Sequence, residues 1–382
     1  MKIIIIGAGI GGLTTAIALI QRGFSVEIYE ASQELQPVGA GIILASNVLQ
    51  ILERLNILAD IQAKGQLLQA MNITDGKVKL IQKVDLKKVE EKFGKGVLGI
   101  HRARLQAGLL ANLPENIVHL GKKSVSFTQN KENVTVFFED GTQAEGDICI
   151  GADGLRSVTR KAIFGDIPLR YSGQTCWRGI ANMELPAEYK GNAYEMWGTY
   201  NGLRMGFLAV SDKEVYFFAV EKASANGTDN PAERKEMLLK KYADFPNVVR
   251  EMIENTPLEK IVRHDINDFQ PIAKWHKGRI VLIGDAAHAT TPNMGQGGAQ
   301  AIEDAWVIAD CLAKHSNYAE AFAKFQEIRY EKAVWIVNNS ASLGKMTNIS
   351  GKFLTELRNF VFRLVPNSVA EKQTEKVYKL NF

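Results

Sequence analysis

Three glycines and one acid near the start of the chain have the types and spacing needed to hold a dinucleotide. In KIIIIGAGIGGLTTAIALIQRGFSVEIYE, Gly7, Gly9 and Gly12 fall in GxGxxG spacing. Gly7 permits a tight turn, Gly9 lets a pyrophosphate approach the backbone, and Gly12 lets a helix pack closely on the preceding strand. Glu30, eighteen residues after Gly12, stands where a carboxylate can accept hydrogen bonds from ribose hydroxyls. The chemistry is binding of a dinucleotide, and the motif alone leaves NAD and FAD both open.

Two later stretches have related character. GADG at 151–154 is followed by Ser157 and Arg160 one helical turn apart. A strand, a tight acidic turn around Asp153 and a basic helix start suit a phosphate or ribose. GRIVLIGDAAHATTPNMGQGG at 278–298 places Asp285 at a strand end, then a loop of small residues with Gly295, Gln296, Gly297 and Gly298 before a helix. Such loops at the carboxyl ends of strands are where α/β folds bind ligands. Gly39 and Gly41, on either side of an alanine, read either as backbone packed against something flat or as a plain turn.

The elements that must position these residues follow from the pattern. Ile3 to Ile6 is an unbroken β-branched run, expected of a strand buried on both faces of a parallel sheet. A helix over Gly11 to Gln21, ending at Gly23, would aim its positive end at the phosphates, and Val26 to Tyr29 reads as the second strand. Asn47–Leu58 and His101–Leu113 have helical character, whereas Asn72–Asp85 and Asn133–Phe138 are strand-like with Asp-Gly hairpin turns. Residues 171–270 are mostly strand-like, with aromatic and β-branched alternation. The fold class expected is α/β. A Rossmann-like nucleotide domain (1–70, 98–170 and 271–340) carries an inserted, mostly antiparallel β-sheet domain (71–97 and 171–270) that would form a substrate wall. A C-terminal helix (341–382), with Phe353, Leu354, Leu357, Phe360, Val361 and Leu364 at amphipathic spacing, reads either as a membrane-surface helix or as one packed on the body; packing is expected, because its polar face has no strong lysine and arginine stripe.

Composition narrows the function classes. The 382 residues suit about two domains. A net charge of +4, from 46 basic and 42 acidic residues that are scattered, is too small to imply nucleic acid or an anionic membrane surface as a partner. Three widely spaced cysteines with no CxxC pair argue against a disulfide framework or a structural zinc, and for a reducing, cytoplasmic setting. No signal peptide and no spanning helix are expected. The histidines form no metal-ligand set, so no metal is expected.

The N-terminal GAGIGG with Glu30, the GADG turn and IGDAAHATTPNMGQGG, in that order, resemble the single-component FAD-dependent aromatic hydroxylases of the p-hydroxybenzoate hydroxylase type. PNMGQGG followed by AIEDA is most similar to the branch with zeaxanthin epoxidase, urate hydroxylase and salicylate hydroxylase. The resemblance implies FAD, with Glu30 and Ala31 at the adenosine ribose and Gly9, Gly11 and Gly12 at the pyrophosphate. It further implies Arg102 at the phosphate or ribityl region, Val125 among the cofactor contacts, Asp153 at flavin and nicotinamide contacts, and Asp285 at the ribityl hydroxyls. Gly41 and the Gly295–Gly298 segment, Gln296 and Gly297 included, would line the isoalloxazine. Arg104 stands where an acid is common in these enzymes.

The implied activity is NAD(P)H-dependent monooxygenation: a flavin C4a-hydroperoxide hydroxylates or epoxidises an aromatic or polycyclic small molecule with O₂. Arg204, Tyr216 and Asn293 would position the substrate. Urate hydroxylases have an aspartate at the position of Asn293, so the acidic contact that would help deprotonate urate is missing. Trp177, Arg178 and Trp197 could wall the pocket, and His288 reads as a loop-ordering residue. The alternatives are an FAD oxidase or dehydrogenase without oxygen insertion, a tetracycline-inactivating enzyme of the same fold, and a flavin-binding redox sensor. A monomer or homodimer is expected.

Overall fold

Parallel pairing around Lys2–Ile6 organises the molecule, which was analysed as a computed structural model describing residues 1–35, 40–198, 202–365 and 367–382. Gly39 lies outside the described residues. Ile3, Ile4 and Ile5 are wholly buried, as a strand covered on both faces requires. Lys2–Ile6 pairs in parallel with Ser25–Tyr29 on one side and with Ile148–Gly151 on the other. Ile280–Leu282 extends the same sheet in parallel beyond Ile148–Gly151. The three ligand-binding motifs of the sequence therefore follow neighbouring strands and leave the sheet at one edge. Helices Ile10–Ile20 and Gly297–Lys314 pack together over it, with Gly11 close against Ala301.

A seven-stranded sheet forms the second layer. Its order is Val262–Asp268, Arg170–Ala181, Glu214–Lys222, Arg204–Ser211, Asn192–Trp197, Ala70–Asp75 and Leu80–Asp85. All neighbours are antiparallel except Asn192–Trp197 with Ala70–Asp75. Residues 70–85 thus leave the nucleotide-binding part of the chain to complete an edge built mainly from residues 170–268.

Side-chain alternation gives this sheet two different faces. Trp177, Met196, Met205, Phe207, Val215 and Phe217 point to one side and form a core with helices Arg234–Lys241 and Asn247–Glu254. Arg178, Glu195, Trp197, Arg204, Tyr216 and Phe218 occupy the alternate positions and face the rest of the molecule. Trp177 is therefore removed from any shared pocket with Trp197: its indole N–H donates to Asp229 at 2.7 Å on the far side.

The C-terminal region differs from a single packed helix over 341–382. A 30-residue helix, Tyr318–Thr347, continues past residue 341, and Lys352–Leu364 and Asn367–Tyr378 follow as separate helices. The Lys352–Leu364 helix buries Thr355, Arg358 and Asn359, while six of its seven large apolar residues, all but Phe362, are exposed. The reason is Arg358, which donates to the Thr347 carbonyl and to Asn359 and lies 4.6 Å from the Trp197 ring. Among the described residues no helix is long and apolar enough to cross a membrane.

Candidate cofactor and substrate site

The glycines of the first turn meet quite different surroundings. A methyl group added at Gly12 would lie 2.0 Å from the Gly7 carbonyl oxygen, so this position is closed by helix-on-strand packing. One added at Gly7, at φ +104°, would meet the Ala152 carbonyl at 2.6 Å. At Gly9 it would meet nothing within 4 Å, leaving open space at the start of the Ile10–Ile20 helix. That helix has no side-chain cap, and neither has Gly297–Lys314. Two glycine-rich helix starts therefore present free N–H groups, which an anionic or polar ligand can satisfy.

Other predicted contacts are distributed around this cleft. Glu30 accepts from the Ala8 N–H at 2.8 Å and the Ser32 N–H at 2.9 Å, which fixes its carboxylate beside the turn. Ala31, Arg102 and Val125 are exposed. Asp285 is open to the cleft yet densely surrounded by protein, and it lies about one van der Waals contact from Gly297. Those surroundings push its pKa up, opposed by His288, Arg102 and Arg160. Its carboxylate has no hydrogen-bond partner among the described residues.

Several acidic and basic groups serve the scaffold. Both Asp153 oxygens are taken, one by the Ser157 hydroxyl and one by the Thr159 N–H and hydroxyl. Arg160 is buried and donates to the Ala286 and Leu155 carbonyls, so the basic helix start ties two segments of the chain together. Arg104 bridges to Glu214 and the Val210 carbonyl, joining the nucleotide-binding part to the second sheet. Arg104 lines a cleft of about 390 Å³ with His101, Gln106 and Glu214, and Gln106 reaches from it to the Ala8 carbonyl of the glycine turn at 2.8 Å.

Gln296 turns its side chain away from the cleft into a buried charged network. Its Oε1 accepts from Asn47 and Gln300. Asn47 and Lys332 donate to Glu303, and Arg329 joins Glu303, Asp304 and Gln300. His288 contacts Asp304 at 2.6 Å, and although burial opposes it, the charges of His288 and Arg329 hold the Asp304 carboxyl at about 2. This network fixes the start of the Gly297–Lys314 helix from beneath.

The second sheet meets the cofactor-side loops at two points. Arg204, 2% exposed, donates from Nη2 to Asn293 Oδ1 at 2.9 Å and from Nη1 to Glu195 Oε1 at 3.0 Å. Asn293 is itself held by Thr291 Oγ1 and the Ser340 carbonyl. Tyr216 packs its ring on the backbone of Gly41, where an added methyl would come within 2.5 Å, and Gly298 touches Ile42. Gly41 is thus required flat by Tyr216. Burial raises the Tyr216 hydroxyl to about 12, so it stays protonated at neutral pH.

Arg204 and Tyr216 share the sheet face but are four positions apart along paired strands, about 13 Å. Between them the half-buried Phe218 ring lies across Gly206, making an apolar floor. Arg204 Nε is buried and has no hydrogen-bond partner among the described residues. Arg358 stands nearby, its pKa lowered to about 10 by burial and by the positive charge of Arg204. Among the described residues two guanidiniums face the Glu195 carboxylate here, which leaves this end of the floor positive. Glu195 and Arg358 were not singled out from the sequence; strand alternation through Ala193–Trp197 could have pointed to Glu195, but nothing local marks Arg358.

Comparison with known proteins agrees with this geometry. Residues 1–326 match the family model described as FAD binding domain, and the chain belongs to that family. It is 35% identical over 376 residues to the aurachin C monooxygenase/isomerase of Stigmatella aurantiaca, covering 98% of this chain and 97% of that protein. It is 33% identical over 390 residues to the 2-heptyl-3-hydroxy-4(1H)-quinolone synthase of Pseudomonas aeruginosa, covering 99% and 98%. The crystal structure of Klebsiella pneumoniae HpxO with FAD and uric acid superposes with a TM-score of 0.91 at 28% identity, covering 99% and 96%. The protein is an FAD-dependent monooxygenase of aromatic or polycyclic small molecules.

Proposed function

We propose that the substrate is a bicyclic N-heteroaromatic ketone bearing an alkyl chain, of the 2-alkyl-4(1H)-quinolone type, hydroxylated on its ring with NAD(P)H as reductant. The observation that carries this reading is the unpartnered Arg204 Nε at the positive end of an apolar floor. Its N–H is a donor for a ring carbonyl oxygen, and the local positive charge stabilises electron density drawn onto that oxygen as the ring attacks an electrophilic oxygen. The floor over Phe218 and Leu208 suits the rings and chain of such a molecule better than a purine with polar groups on every edge. Asn293 in place of an acid points the same way, because it offers no base for urate.

FAD would be held by the free N–H groups of the two glycine-rich helix starts at Gly9, Gly11, Gly12, Gly297 and Gly298, with Glu30 and Asp285 accepting from ribose and ribityl hydroxyls. When bound it supplies the activation of O₂. One oxygen atom goes to the ring and the other leaves as water, with NAD(P)H providing the two electrons. The test is NADH and NADPH consumption with 2-heptyl-4(1H)-quinolone and with urate, read with product mass. Quinolone-stimulated consumption and a product heavier by one oxygen atom support the reading. Stimulation by urate alone, or an unoxygenated product with stoichiometric H₂O₂, refutes it.

A further inference from the structure

The Lys352–Leu364 helix is turned opposite to an amphipathic helix packed on a core. Phe353, Leu354, Leu357, Phe360, Val361 and Leu364 recur along one stripe and are 47–75% exposed. Met346, just before the helix, and Leu80, on the strand beside it, add exposed apolar surface. The inner face is polar, with Arg358 and Asn359 fixed as described and Phe362 edge-on to Trp197 at 5.1 Å. A contiguous apolar surface of this kind marks an interaction site.

Its rim identifies the partner. Lys345, Lys352 and Arg363 flank the stripe, and Lys77, Lys79 and Lys83 project from the hairpin against which the helix lies. The nearby acids are fewer than these six cations: Asp75, which lies 3.9 Å from Arg363 and accepts from the Lys77 and Lys79 N–H groups, Asp85, which caps the helix after it, and Glu356, so the rim stays net positive. An apolar stripe edged by cations fits a bilayer surface with anionic headgroups. A second copy of this chain would bring one basic rim against another, which opposes pairing.

We infer that the outer face of the Lys352–Leu364 helix seats in the boundary between headgroups and acyl chains of an anionic bilayer. The inner face of the same helix carries Arg358 over Trp197, the cross-strand neighbour of Arg204. A lipid-dissolved substrate therefore reaches the polar end of the site from the membrane side. This route rests on the alkyl-quinolone reading; the docking itself rests on the helix alone.

The test is flotation of the FAD-loaded, full-length protein with vesicles of phosphatidylcholine and of phosphatidylcholine mixed with phosphatidylglycerol. The protein should float with the mixed vesicles. The combined variant Phe353→Ser, Leu357→Ser, Phe360→Ser should reduce the bound fraction about tenfold or more. Lys345→Glu with Lys352→Glu should abolish the preference for phosphatidylglycerol. FAD content and turnover of quinolone presented in cyclodextrin should be unchanged in both. Wild-type protein that stays soluble with both vesicles overturns the docking, as does equal flotation of the serine variant. A wild-type dimer that the serine variant converts to monomer, without vesicle binding, also overturns it and assigns the face to a second copy. Flotation without quinolone turnover leaves the docking standing and refutes the substrate, whereas turnover without flotation does the reverse.

Discussion

Replacing Arg204 by methionine separates the role of its guanidinium from that of its stem. The variant keeps the apolar length and removes the bonds to Glu195 and Asn293, together with the free Nε donor. Glu195 still accepts from the Trp197 indole at 2.8 Å, and a quarter of its side chain is exposed, so the orphaned carboxylate is partly compensated. The stability cost is then about 1–3 kcal/mol, below that of a fully buried pair broken on one side. A charge-assisted hydrogen bond to the substrate oxygen contributes about 1.5–3 kcal/mol, so kcat/KM should fall about 10- to 150-fold. FAD content should change little, because Asn293 stays anchored by Thr291 and the Ser340 carbonyl when Arg204 is gone. Initial rates of NAD(P)H consumption with the quinolone, normalised to flavin absorbance, give the number. A kcat/KM within about threefold of wild type, or a loss fully accounted for by missing FAD, would refute the assignment.

Three further outcomes are expected. Gly9→Val should leave the melting temperature nearly unchanged and abolish FAD retention, since its side chain enters open space. Gly12→Val should fail to give soluble protein, because of the clash with the Gly7 carbonyl; flavin absorbance and thermal melts distinguish the two. For Asp285, burial raises the carboxyl pKa in the free protein and ligand hydroxyls would favour the ionised form, so binding releases a proton. FAD affinity should therefore rise with pH through the acid range and level off above that raised pKa, and Asp285→Asn should remove the slope in fluorescence titrations. Arg329→Met strands Glu303 and Asp304 in the interior and should cost about 3–5 kcal/mol by denaturant unfolding; an unchanged midpoint would contradict the network.

The cofactor side of the fold was legible because its signals are local. The β-branched run of Ile3–Ile6, the three glycine positions and the Gly297–Lys314 helix depend on neighbouring residues, and the strand order brings their motifs together. Arg204 and Asn293, suggested only by resemblance, prove to be hydrogen-bonded across 89 positions of chain. Other features depend on who faces whom. Asp153 and Arg160 have the types expected near a phosphate, and only the fold shows that both also bond the chain's own hydroxyls and backbone. Trp177 and Trp197 look equivalent in sequence, and only the strand phase sends them to opposite faces. The periodicity of residues 353–364 reveals a stripe without saying which side meets the protein; that is decided by Arg358 and its distant partner Trp197.

The 30-residue Tyr318–Thr347 helix has a mechanical consequence. Arg329 anchors it in the charged network beneath the Gly297 helix start, and eleven residues further on, about 16 Å along its axis, Ser340 holds Asn293 and through it Arg204. The helix works as a strut of fixed length between the cofactor-side loops and the substrate floor. Closing the two layers on each other like a jaw would require this strut to break or slide, so the enzyme must admit and retain its substrates by moving smaller parts around a frame whose depth does not change.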